Sequence, residues 1–168
     1  MKIDDIRQGF GALRDSVAEG WDRLRQGAAG ALTRFRPGEK SNLPVAAEVD
    51  DGPFLPGPSW AMLGGDVFED DRRVVVRLEA PGMEREDFDV QVLADTLVVR
   101  GEKRFERESS QGRWRVLQCA YGAFHRSVPL PAAVRAEAAK ASYRNGVLRV
   151  ELPKRETATP LARRITVG

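Results

Sequence analysis

Between Arg73 and Arg104 the apolar residues return at every second position, and that period leaves little room for anything but a sheet. Val74, Val76 and Leu78 alternate with Val75, Arg77 and Glu79 until Ala80-Pro81-Gly82 stops the run. Phe88, Val90 and Val92 repeat the alternation, Ala94-Asp95 turns the chain, and Thr96 to Arg100 returns. No helical path collects those valines on one stripe. The density of β-branched residues favours extended structure for a second reason, because they pack well on a pleated surface. The centre of the chain is therefore read as antiparallel β.

The same pattern continues downstream. Glu102 to Arg115 is too charged for a core and too long for a hairpin, so it reads as a projecting loop. Trp114, Val116 and Leu117 on its returning limb offer a further strand. Phe124, Arg126, Val128 and Leu130 share one parity, with Pro129 and Pro131 marking an edge or exit. Ala139 to Arg144, the Asn145-Gly146 turn and Val147 to Leu152 form the clearest hairpin, since Asn and Gly accept the positive φ of a two-residue turn. Seven or eight short strands without a long internal helix predict an all-β antiparallel sandwich over residues 66–153.

Ahead of it, Ile3, Ile6, Phe10, Leu13, Val17, Trp21 and Leu24 recur at threes and fours, and Ala28, Ala31, Leu32 and Phe35 extend the stripe. This predicts an amphipathic helical arm over residues 1–36, weakened by interior glycines that each cost about 0.5–1 kcal/mol relative to Ala. Its apolar face has three possible destinations: copies of itself or protein partners, its own domain, or a membrane surface. The mixed charge of the polar face disfavours the last. Residues 37–65, with Pro37, Pro44, Pro56 and Pro58 among several glycines, read as a mobile linker. Phe54, Leu55, Trp60, Met62 and Leu63 within it either cover part of the sheet or form an adaptable contact surface. Residues 154–168 are a polar, flexible extension that ends in Ile165-Thr166-Val167, a triplet suited to joining an exposed sheet edge.

Chemistry is sparse. His125 is the only histidine and Cys119 the only cysteine, and six residues of separation along a strand do not make a nucleophile and its base. There is no metal-ligand spacing and no glycine-rich phosphate loop, so no enzyme, metal or cofactor is expected. A net charge of +2, from 27 basic and 25 acidic residues, gives no case for nucleic acid. A lone cysteine, no membrane-length apolar run and acidic pairs near the start point to the cytoplasm.

One family shares this order of features. A tryptophan before DVFED, then VVVRLEAPGM, EDFDVQV, TLVVRGEKR, YGAFHRSVPLP, KASYRNGVLRVELPK and a terminal ITV together resemble the small heat-shock proteins of bacterial type, built on the alpha-crystallin domain. Pro81 and Gly82 match the family's turn. Gly122, Phe124, Arg126, Leu130 and Pro131 match its Gly-x-Phe-x-Arg-x-x-x-Leu-Pro signature, and Ala141, Asn145, Gly146, Val147 and Leu148 match its Ala-x-x-x-Asn-Gly-Val-Leu. Gln118-Cys119 departs from it, standing where an acidic and a basic residue are common.

The resemblance implies an immunoglobulin-like sandwich that dimerises by lending a loop strand to its partner, with Trp114 and Arg126 at the interface. It implies that Ile165 and Val167 dock between edge strands of another subunit, with Val90, Val92 and Ala141 as receiving residues, and that larger homo-oligomers follow. The implied function is an ATP-independent holdase for partly unfolded proteins under stress. Phe10, Trp21, Leu24 and Phe35 are the candidate client contacts, because they present large apolar area on an adaptable arm. The alternative is a non-chaperone assembly scaffold on the same sandwich.

Overall fold

The computed structural model describes residues 29–38, 41–109 and 111–155. Nine strands run through them: β1 (Leu32–Arg36), β2 (Ser59–Met62), β3 (Gly65–Glu69), β4 (Arg73–Glu79), β5 (Phe88–Leu93), β6 (Thr96–Lys103), β7 (Gly122–Pro129), β8 (Lys140–Arg144) and β9 (Val147–Pro153). One sheet has the order β2-β1-β7-β6-β5 and the other β3-β4-β9-β8, with every pairing antiparallel. The two sheets enclose one core, as alternation predicts.

That core follows the parity of the sequence. Val74, Val76 and Leu78 face inward from β4, and Leu148, Val150 and Leu152 from β9, all at 3% exposure or less. Leu97, Val99 and Phe124 meet them from the opposite sheet. Each such side chain contributes about 1.5–3 kcal/mol on leaving water. The β8–β9 turn places Asn145 at φ 52° and Gly146 at φ 76°, the pair of left-handed residues that a two-residue hairpin requires. Ala94 at φ 54° does the same service at the β5–β6 turn without a glycine's freedom.

Three expectations are corrected here. The helical stripe predicts helix as far as Phe35, but Leu32–Arg36 is a strand, with Thr33 and Phe35 turned inward at 2% exposure each. The physical cause is the otherwise open edge of β7. β1 closes it, pairing Phe35 with Phe124 at 5.1 Å between ring centroids, and β2 then pairs with β1. A five-residue segment takes its structure from such packing more than from propensity. Of the arm's three possible destinations, this part goes to its own domain. Phe35 is thereby a core residue and not an exposed client contact. Phe10, Trp21 and Leu24 lie outside the described residues.

Secondly, the stretch read as a linker is ordered on the domain. Pro44, Val49 and Leu63 are buried, Ala46–Glu48 forms a 3-10 turn, and Ser59–Met62 is β2. Thirdly, the charged loop after β6 does not project. Trp114 makes a parallel bridge to Val49, exchanging backbone hydrogen bonds with Glu48 and Asp50, and its ring meets Phe105 edge-on at 5.2 Å.

Candidate interaction surfaces

Sheets offer chemistry to other chains chiefly at their edges, where backbone N–H and C=O groups lack a neighbour. β3 is such an edge, and every one of its five residues is exposed. Val67 and Phe68 are 46% and 54% exposed there, which leaves apolar side chains beside an unfilled hydrogen-bond ladder.

A second opening lies where β5 and β8 end their respective sheets. Phe88 and Tyr143 join the two edges with ring centroids 5.0 Å apart, and the Tyr143 hydroxyl donates to the Ala80 carbonyl at 2.8 Å. Val90 and Val92 are half-buried on β5 against the core, and Ala141 is exposed on β8 opposite Val150. The three proposed receiving residues therefore sit on the two facing edges. Ile165 and Val167 lie outside the described residues.

Arg126 shares the inward parity of Phe124 and Val128, as expected, but no carboxylate among the described residues pairs with it. Its Nε is buried without a hydrogen-bond partner, and burial lowers its pKa from the ordinary arginine value. Trp114, the other expected interface residue, is half-exposed and packed on its own chain. Ion pairs reinforce that arrangement: Arg107 reaches Glu48 at 3.1 Å, while Arg113 and Arg115 both reach Asp50. The hydrogen bond from Arg107 is the first cause holding the Glu48 carboxyl below its usual pKa, followed by the Val45 N–H. This clasp is complete above the ordinary carboxylate pKa and loosens as pH falls through the lowered value.

A surface that periodicity alone did not single out lies on β1 and β2. Leu32 pairs with Met62, Trp60 stands two residues before it, and all three are about half exposed on the same outer face. The signal was present in the spacing of Trp60 and Met62, but it needed β1 as a neighbour to become a patch.

Among the described residues catalytic groups do not gather. His125 faces outward opposite Arg100, and Cys119 is an exposed free thiol before β7 begins. Among the described residues no group of three or more His, Cys, Asp or Glu side chains could hold a metal, and no helix is long and apolar enough to cross a membrane.

These features define a class: a two-sheet antiparallel β domain whose outward chemistry is contact at strand edges and apolar patches. The chain belongs to the Hsp20/alpha crystallin family, whose sequence profile matches residues 66–168, and this family is non-catalytic. Small heat shock protein C2 of Rickettsia felis is 31% identical over 91 residues, 54% of this chain and 59% of that protein. Spore protein SP21 of Stigmatella aurantiaca is 28% identical over 155 residues, 92% of this chain and 86% of its own length. Among solved structures, heat shock protein 16.0 from Schizosaccharomyces pombe superposes with a TM-score of 0.53 at 32% identity, covering 63% of this chain and 97% of that one.

Proposed function

We propose that this protein is an ATP-independent holdase, working in the cytoplasm, that binds partly unfolded proteins and keeps them from aggregating. The observation that carries the reading is the fully exposed β3 edge with Val67 and Phe68 beside it, because such an edge either accepts a strand from another chain or invites aggregation. Family membership supports the general chaperone role. In the assembled state the loop bearing Trp114 leaves Val49 and adds to the partner's β3, and Arg126 finds there the acceptor that the described residues of its own chain lack. Phe10, Trp21 and Leu24 on the arm receive clients, joined by the Leu32, Trp60 and Met62 patch.

The decisive assay follows light scattering from an unrelated heat-damaged protein. Suppression without nucleotide, saturating near a fixed ratio of chaperone to client, is the expected result; unchanged scattering at molar excess rejects the holdase.

Assembly beyond the dimer is assigned to the tail. Ile165 and Val167 each contribute about 1.5–3 kcal/mol if fully buried, before the cost of ordering the extension is subtracted, so one tail is a weak clasp and several act through effective concentration. Replacing both by Ser is expected to leave the β signal in circular dichroism intact while the scattering mass falls toward that of the dimer. An unaltered mass across a dilution series would remove the tail from assembly.

A further inference from the structure

The outer face of the four-stranded sheet carries arginines that neither the chaperone reading nor the core requires. Arg77 on β4 stands directly across from Arg149 on β9, and Arg149 across from Ser142 on β8. Arg144, which ends β8, and Arg85, in the 3-10 turn before β5, complete an open cleft of about 730 Å³ that Tyr143 and Asn145 also line. Among the described residues, four guanidinium groups line it and no carboxylate does.

The nearby acids neutralise this cluster only in part. Asp66 lies opposite Arg77 on β3 without an ion pair among the described residues, and Glu151 divides itself between Arg149 at 2.8 Å and Arg73 at 2.9 Å. Arg77, Arg85 and Arg144 have no ion pair among the described residues. Like charges placed directly opposite across two strands weaken a sheet, and Glu151 answers only the Arg149 side of the Arg77–Arg149 pair, so a further anion would relieve the rest. A concave surface lined by one sign of charge also concentrates counter-ions.

We propose that this cleft binds a soluble chain of phosphates. One phosphate group carries roughly −1.5 to −2 charge near neutrality, too little for the three guanidinium groups without an ion pair, whereas three or more linked phosphates match both the charge and the spread of the cluster. Planar guanidinium forks suit phosphate oxygens, and Ser142 and Asn145 add neutral donors. A membrane headgroup is disfavoured because, among the described residues, no large exposed hydrophobic residue lines the cleft; Val67 and Phe68 are exposed on β3 of the same sheet but outside the lining, and Leu32, Trp60 and Met62 belong to the other sheet. Single-stranded nucleic acid is disfavoured because Tyr143, the one aromatic ring present, is half-buried with its hydroxyl committed to Ala80 and offers no stacking platform. The cleft shares Ala141 with the edge proposed to receive the tail, so a bound phosphate chain and a docked tail would compete for it.

The test is titration calorimetry of the full chain with sodium tripolyphosphate at low and at physiological salt. Saturable binding near one tripolyphosphate per chain is expected, weakening as salt rises because the cleft is open to solvent. Arg77→Ser with Arg149→Ser is expected to lower the affinity about tenfold or more, and Arg85→Ser with Arg144→Ser to do likewise. The second pair involves neither central strand, so it keeps the test sound if the first variant unfolds by circular dichroism. Arg34→Ser, on the other sheet, is the control and should bind as the parent does. The proposal is overturned by absence of binding at low salt, by an equal loss in the Arg34 variant, or by association with phosphatidylserine vesicles alone.

Discussion

Replacing Phe35 by Ala is expected to lower the free energy of unfolding by about 3–5 kcal/mol, enough to consume a large share of a small domain's stability. The side chain is 2% exposed and meets Phe124 at 5.1 Å, so its removal both forfeits burial and leaves a cavity beneath β1. Urea denaturation followed by intrinsic fluorescence measures the change, with the midpoint falling and the slope preserved. The experiment also separates two pictures of the amino-terminal region. If Phe35 served only to bind clients from an exposed arm, the variant would unfold at the parent's midpoint and lose only protection of the aggregating protein.

Gly122→Ala acts on the same junction from the opposite strand. Gly122 has φ +111°, where side chains are strained, and a Cβ built there would lie 2.4 Å from the carbonyl carbon and oxygen of Arg36 and from the nitrogen of Pro37. Those are backbone atoms, which cannot step aside as the end of a lysine would. Strain and overpacking together should cost about 2–6 kcal/mol. The first backbone to yield should be that of β1, so amide protons near Thr33 and Phe35 should exchange faster even where the rest of the sheet holds. Protection at those amides equal to the parent's would mean that β1 does not rest on Gly122.

The contrast between these two sites explains what could be read in advance. Val74, Val76, Leu78, Leu148, Val150 and Leu152 announce their burial by local alternation, and Asn145-Gly146 announces its turn by residue type; both signals are complete within a few residues. Leu32–Arg36 carries no such self-contained signal. Ala31, Leu32 and Phe35 satisfy a helical spacing as readily as Thr33 and Phe35 satisfy a strand's, and only the uncovered edge of β7, some 90 positions away by residue number, decides between them. The packing of Trp114 on its own chain is illegible in the sequence for a related reason. Its bridge to Val49 depends on a segment whose prolines and glycines give no period, though Asp50 and Glu48 supply the charges that Arg113, Arg115 and Arg107 answer. For the candidate surfaces, Val90, Val92 and Arg126 share the parity of apolar neighbours and are half-buried, while the arginine cleft needed three strands in register before its members became neighbours.

The position of β1 and β2 has a practical consequence for anyone who cuts the gene. The recognisable family stretch begins at residue 66, yet Phe35 and Leu63, both in the core, precede it, and so does the strand that covers β7. A fragment trimmed to the recognisable stretch would expose Phe124 and a bare strand edge, and would be prone to precipitate for reasons unrelated to chaperoning. The smallest piece that can be produced intact is therefore longer than the piece that can be identified by likeness.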